Sequence, residues 1–160
     1  MGVAGSGKSS VMAALGERLG WPRLEGDSLH PQSNVEKMLS GRPLTDDDRW
    51  PWLEQIAAWI DAREAERASS IVTCSALRRA YRDVLREGHP SVWFVHLVAP
   101  HRVLATRMER RDGHFMPRAL LQSQLETLEP LERDEPGWAI DSVAPSSEIA
   151  DRIAAALRLD

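Results

Sequence analysis

Gly2, Gly7, Lys8 and Ser9 stand in the spacing G-x-x-x-x-G-K-S within the run GVAGSGKSS, residues 2–10. Glycines so placed let successive backbone N–H groups converge on one anion, and the positive end of a following helix adds to their field. A lysine next to the second glycine reaches terminal phosphates, and the hydroxyl after it suits Mg²⁺. Gly2, Val3, Ala4, Gly5, Ser6, Gly7, Lys8, Ser9 and Ser10 therefore form a candidate phosphate loop for ATP, with Lys8 as its catalytic cation and Ser9 facing the metal. A glycine-rich turn at a helix end is the plainer reading, but it gives no reason for Lys followed by Ser at this spacing.

Glu25 and Asp27 lie two apart at the end of a short expected strand, so their side chains point the same way over the edge where the phosphates would sit. Two acids there divide labour: one holds Mg²⁺ through water, and the other accepts the proton of an attacking hydroxyl. Gly26-Asp27-Ser28 is also good turn chemistry, which is the bland alternative. The apolar run Ile71 to Cys74 ends without the acid that often supports Mg²⁺, so that duty passes to Glu25 or Asp27. The histidines show no spacing such as H-E-x-x-H, and no structural zinc is expected.

Positioning these groups requires strands and helices in alternation. Val11, Met12, Leu15 and Leu19 recur at helical spacing, and Gly20 stops them. A strand is expected within Trp21–Glu25. A short helix then begins at Pro31 with Val35, Met38 and Leu39 on one face. Leu53, Ile56, Ala57 and Ile60 predict a third helix, Ile71–Cys74 and Val92–Val98 two strands, and Arg78–Arg86 a polar helix between them. Helices also follow Pro100 and span Leu120–Leu128, then a strand at Trp138–Asp141 and a closing helix through Ile149, Ile153 and Leu157. Such alternation implies an α/β fold with a parallel sheet covered on both faces, its ligands beyond the carboxyl ends of the strands.

The 160 residues fit a single domain, 1–160, with 42% hydrophobic and 28% charged residues mixed along its length. A net charge of −4 argues against a nucleic-acid partner. The lone Cys74 leaves no internal disulfide, and no apolar run approaches bilayer length, so no membrane partner and a cytoplasmic location are expected.

The run GDSLHPQSNVEKMLSGRPLTDDDRWPWL, residues 26–53, resembles the gluconokinases, small P-loop kinases that phosphorylate gluconate at the expense of ATP. CSALRRAYRDVLREG, residues 74–88, and RRDGHFMPRALLQSQLETLE, residues 110–129, are similar to the same family's following blocks. The resemblance implies a P-loop kinase three-layer fold: a five-stranded parallel sheet, helices on both faces, a phosphate loop at 2–10, a substrate-binding segment at 26–60 and a lid at about 107–118. It implies Asp27 as base or orienter near the substrate hydroxyl, with Glu25 near the metal. His30, Lys37 and Arg49 fall in the substrate block, and Arg78 faces the sugar acid or the transferred phosphoryl group. Arg107 is an expected catalytic arginine of the lid region, which also holds Arg110, Arg111 and His114, with Gln124 on the helix behind. Arg107 and residues 141–145 are the best guesses for the adenine pocket.

Physical chemistry supports these types, since a carboxylate with several hydroxyls calls for forked cationic donors such as Arg49 and Arg78. Asp46-Asp47-Asp48 reads as a helix amino-terminal acid cluster. Lys37 reads equally as a solvated residue, and Trp50, Trp52 and Trp59 as packing. Shikimate kinase or another small-metabolite kinase of the same fold is the alternative activity, and a non-catalytic ATP-binding regulatory paralogue the alternative class. Assembly as a homodimer stays open. The motif's usual context is strand, loop, helix, yet only Met1 precedes Gly2. The first strand is therefore expected to be truncated, by a late-set start or by trimming, exposing the backbone edges of its neighbours.

Overall fold

The computed structural model describes residues 1–110 and 118–159. Helix α1 spans Lys8–Leu19, strand β1 Arg23–Glu25, a 3₁₀ turn Gly26–Leu29, α2 Gln32–Leu39 and α3 Asp46–Ala65. Strand β2 follows at Ile71–Thr73, α4 at Arg79–Arg86, β3 at Phe94–Val98 and α5 at His101–Glu109. The chain closes with α6 at Arg118–Thr127, β4 at Gly137–Asp141 and α7 at Ser146–Leu157.

β1 pairs in parallel with β2, and β3 in parallel with β4, so the described strands form two separate pairs. Between them runs the backbone of Met1 and Gly2. Met1 donates its nitrogen to Val95 O at 2.6 Å and accepts from Leu97 N–H at 3.0 Å, while Gly2 N–H reaches Ser75 O at 3.2 Å. Met1 and Gly2 thus bridge the two described strand pairs, bonding to β3 on one side and to the turn after β2 on the other. Burial and, second, the charge of Lys8 push the Met1 amino group down to about 5.

Phe94 and Leu97 have opposite parity on β3, point to opposite faces and belong to different core clusters. Leu97 and Ile140 pack with Val11 and Leu15 of α1 and with Ile149 and Ile153 of α7. Phe94 packs on the other face with Trp52, Leu53 and Ile56 of α3, Tyr81 and Leu85 of α4, Leu104 and Leu121. Helices on both faces of parallel strands give the three layers.

Local chemistry explains where the elements start. α3 opens on a capping box in which Thr45 Oγ1 accepts from Asp48 N–H and the Asp48 carboxylate accepts from Thr45 N–H. Gly26 has no room for a side chain: a Cβ there would lie 2.2 Å from Thr73 O. That close approach lets Trp52 Nε1 donate to Gly26 O at 2.7 Å. α2 departs from its expected face. Leu39 is 65% exposed, whereas Asn34 is buried because its amide donates to Asp48 O at 2.7 Å.

The buried Arg82 guanidinium pairs with Glu135 at 2.5 and 2.9 Å and donates to Ala76 O at 3.2 Å and Glu129 O at 3.1 Å. Full pairing is what makes a buried charge tolerable, and here it fastens the segment before β4 to the turn after β2.

His96 is buried on β3, and burial, then the Met1 amino group and Arg82, push its pKa down to about 4 from 6.5. A depressed folded-state pKa means the unfolded chain binds the extra proton between those values. Stability is therefore full above pH 6.5 and falls as the pH drops toward 4, by up to about 3 kcal/mol. Urea unfolding at pH 7 and pH 4.5 is expected to show a smaller loss in His96→Phe than in the parent chain, and equal losses would refute this.

Candidate active site

A cavity of 560 Å³ opens beside the amino end of α1 and is lined by Ala4–Val11 together with Asp27, His30, Arg49, Arg107 and Gln124. That size suits a small organic ligand. Its floor is the expected phosphate loop. Gly7 caps α1 with φ 93°, in the left-handed region that favours glycine. Lys8 Nζ donates to Gly2 O at 2.9 Å and Val3 O at 3.1 Å, arching over the loop. Ser6 Oγ is buried without a hydrogen-bond partner. The Ala4 N–H is held by Gln124 Oε1 at 2.7 Å, so α6 braces the loop from behind.

The anion nest, the α1 amino end and Lys8 fit the phosphates of a nucleotide. Ser9 and Asp27 both line the cavity and supply hydroxyl and carboxylate oxygens, the hard donors that Mg²⁺ takes. Among the described residues no cluster of three His, Cys, Asp or Glu side chains forms a metal cage.

Asp27 sits in the 3₁₀ turn after β1 with its side chain 61% exposed, and His30 Nε2 lies 4.0 Å from its carboxylate. The His30 ring stacks on Trp52 at 4.2 Å between centroids. Burial, opposed by Asp27 and reinforced by Arg49, lowers its pKa, and its Nδ1 is buried without a partner. The neutral imidazole thus lies beside the exposed Asp27 carboxylate. Arg49 is buried at the start of α3 with its guanidinium 5.5 Å from the Tyr81 ring centre, and its Nε has no partner.

Other expected residues are engaged with the protein. Glu25 accepts from the Thr73 hydroxyl on β2. Lys37 pairs with Asp48 at 2.5 Å, and that bond, followed by those from Thr45, pulls Asp48 down to about 2. Arg78 binds Asp46 at 2.8 Å, half-exposed, and lies 6.0 Å from the Tyr81 ring centre. Arg107 stands on α5, with Nη2 donating to Ser142 O at 2.7 Å and Nη1 to Gly5 O at 3.5 Å, so it ties the phosphate loop to the β4–α7 connection. Arg107 stands at the start of the expected lid segment, most of which lies outside the described residues. Arg110 caps the end of α5 and is exposed, while Arg111 and His114 lie outside the described residues.

Asp46 is the residue that sequence reasoning passed over. It accepts from both Arg78 and the Tyr81 hydroxyl, and burial followed by that bond pushes Tyr81 up to about 12. Its signal was hidden in a run of three aspartates, any of which satisfies a helix start. Ser142–Ser146 also line the cavity and so overlap the segment 141–145 guessed for the adenine.

Comparison with known proteins follows the same outline. A family model described as an AAA domain matches residues 1–131. The gluconokinase of Gluconobacter oxydans (strain 621H) is 50% identical over 136 residues, which is 85% of this chain and 76% of that protein. The solved gluconokinase from Sinorhizobium meliloti 1021 superposes with a TM-score of 0.81 at 51% identity, covering 99% of this chain and 93% of that one. A shikimate kinase from Acinetobacter baumannii reaches a TM-score of 0.63 over 98% of this chain and 89% of its own, but at 18% identity it shares the fold alone. On these likenesses the chain belongs to the gluconokinase family of P-loop kinases.

Proposed function

We propose that the chain transfers the terminal phosphoryl group of ATP to the primary hydroxyl of gluconate, giving 6-phosphogluconate and ADP. The observation that carries the reading is one cavity shared by the phosphate loop and by Asp27, His30 and Arg49. In the proposed step Asp27 takes the proton of the attacking hydroxyl as the new O–P bond forms and the bond to the ADP oxygen breaks. Lys8 and the loop N–H groups hold the phosphates in line, a role of positioning and charge stabilisation without covalent chemistry. Arg49, with its unpaired buried Nε, suits the gluconate carboxylate, and His30 a hydroxyl of the sugar chain. Arg78 and Lys37 border this block through their partners Asp46 and Asp48, and orient it.

Ser9, with Glu25 or Asp27 through water, would hold Mg²⁺, which when bound neutralises charge on the phosphates. Arg107 and Gln124 brace the nucleotide side by fixing loop backbone. The whole chain is read as one kinase domain with a small-molecule substrate and no nucleic-acid partner. Among the described residues no helix is long and apolar enough to cross a membrane.

The test is ADP release with MgATP and a panel of gluconate, its epimers, shikimate and nucleoside monophosphates. Turnover with gluconate at least about 100-fold above shikimate in kcat/KM is expected, since a site built around specific hydrogen bonds discriminates strongly. Preference for another acceptor overturns the substrate, and ATP binding without any transfer overturns the enzyme.

A further inference from the structure

Asp46, Asp47 and Asp48 open α3, and Arg49 follows them and lines the cavity. Residues three apart on a helix are neighbours, so Asp46 is placed to pair with Arg49, whereas Asp47, two before it, lies on another side. That pair is not made. Among the described residues no carboxylate stands within ion-pair distance of Arg49, which is buried with its Nε unpartnered. Its guanidinium lies instead 5.5 Å from the centre of the Tyr81 ring. Asp46 is turned onto other donors: one oxygen accepts from Arg78 at 2.8 Å and the other from the Tyr81 hydroxyl. Asp48 is taken by Lys37 and Thr45.

Tyr81 therefore meets both members of the pair that is not formed. It is buried in the first turn of α4, and the Trp50 ring packs against it at 5.3 Å between centroids in a T-shaped contact. Burial and then the Asp46 bond push Tyr81 up to about 12, so its hydroxyl remains a donor at neutral pH. An aromatic face attracts a guanidinium without neutralising it. An arginine already joined to a carboxylate must give up that bond before it takes a ligand's, whereas one seated on a ring keeps its forked donors for the ligand.

We propose that Tyr81 is a positioning residue for the acceptor: its hydroxyl holds Asp46 off Arg49 while its ring seats the Arg49 guanidinium, which reserves that charge for the acceptor's carboxylate. Tyr81 is not among the residues lining the cavity, so it acts through Arg49. The inference rests on the assignment of Arg49 to the acceptor carboxylate made above.

The test uses gluconate and gluconamide, which share a chain and differ in charge, with Kd measured by calorimetry beside steady-state kinetics. The parent chain is expected to bind gluconate at least about 30-fold tighter than the amide. Tyr81→Phe keeps the ring and every charge but frees one Asp46 oxygen for Arg49. It is expected to cut the preference about 10-fold by raising the Kd and KM for gluconate, while kcat and the Kd values for the amide and ATP stay within about threefold. Adding Asp46→Asn removes the competing charge and should return the preference to within about threefold of the parent. Lost packing alone would weaken both ligands alike, and the second substitution would not repair it. A preference that survives Tyr81→Phe, or a fall that Asp46→Asn does not restore, overturns the inference and leaves the role of Arg49 standing. So does a Tyr81→Phe chain that fails to fold, since the hydroxyl is then structural. Equal binding of both ligands by the parent overturns the role of Arg49 and the inference with it.

Discussion

Asp27→Asn is expected to lower kcat for gluconate phosphorylation by about 1,000-fold while the Kd for ATP stays within about threefold. The change removes a proton acceptor and almost no volume. Asp27 lines the cavity with its side chain largely exposed, and the neutral His30 ring lies 4.0 Å away through Nε2. Little packing therefore depends on it, and Tm should hold. Single-turnover kinetics with nucleotide binding followed separately would divide the two effects. Turnover near that of the parent chain would remove Asp27 from the role of base and leave Glu25 to be tested in its place.

Lys8→Ala is expected to act on both terms, weakening ATP binding by about 100-fold and lowering kcat by about 100-fold. Lys8 Nζ is already held by Gly2 O and Val3 O, so the ammonium is positioned before a ligand arrives and costs little to reorganise. Removing it also leaves two loop carbonyls without their donor. The Tm of the nucleotide-free chain should be measured alongside, because a collapsed loop and a missing charge both weaken binding, and only the first lowers Tm greatly. Unchanged kinetics would undo the reading of residues 2–10 as a phosphate loop.

Much of this was readable before any coordinates. The stripes Leu53, Ile56, Ile60 and Ile149, Ile153 mark buried helix faces because core packing leaves a period in the sequence. The glycine loop stood out by its spacing and Asp27 by the family resemblance, and the fold brings both to the lining of one cavity. What escaped depends on contacts between distant elements. Leu39 fits a helical stripe but faces solvent, since α2 is held on its other side by Asn34 and Lys37 reaching Asp48. Asp46 looked like a helix-start acid, and only the fold brings Arg78 and Tyr81 to it from α4 and its approach. Arg107 read as a residue of the lid region and of the adenine side, and only the fold shows its guanidinium reaching both Gly5 O and Ser142 O.

That guanidinium has a consequence for redesign. By joining Gly5 O to Ser142 O and Val143 O, Arg107 makes the phosphate loop and the β4–α7 connection one mechanical unit. On the proposed reading, in which residues 141–145 border the adenine, substitutions there would be transmitted to the loop that aligns the phosphates. On that reading base preference and turnover are not separate dials, and a library aimed at one should be screened for the other, with Arg107 kept fixed.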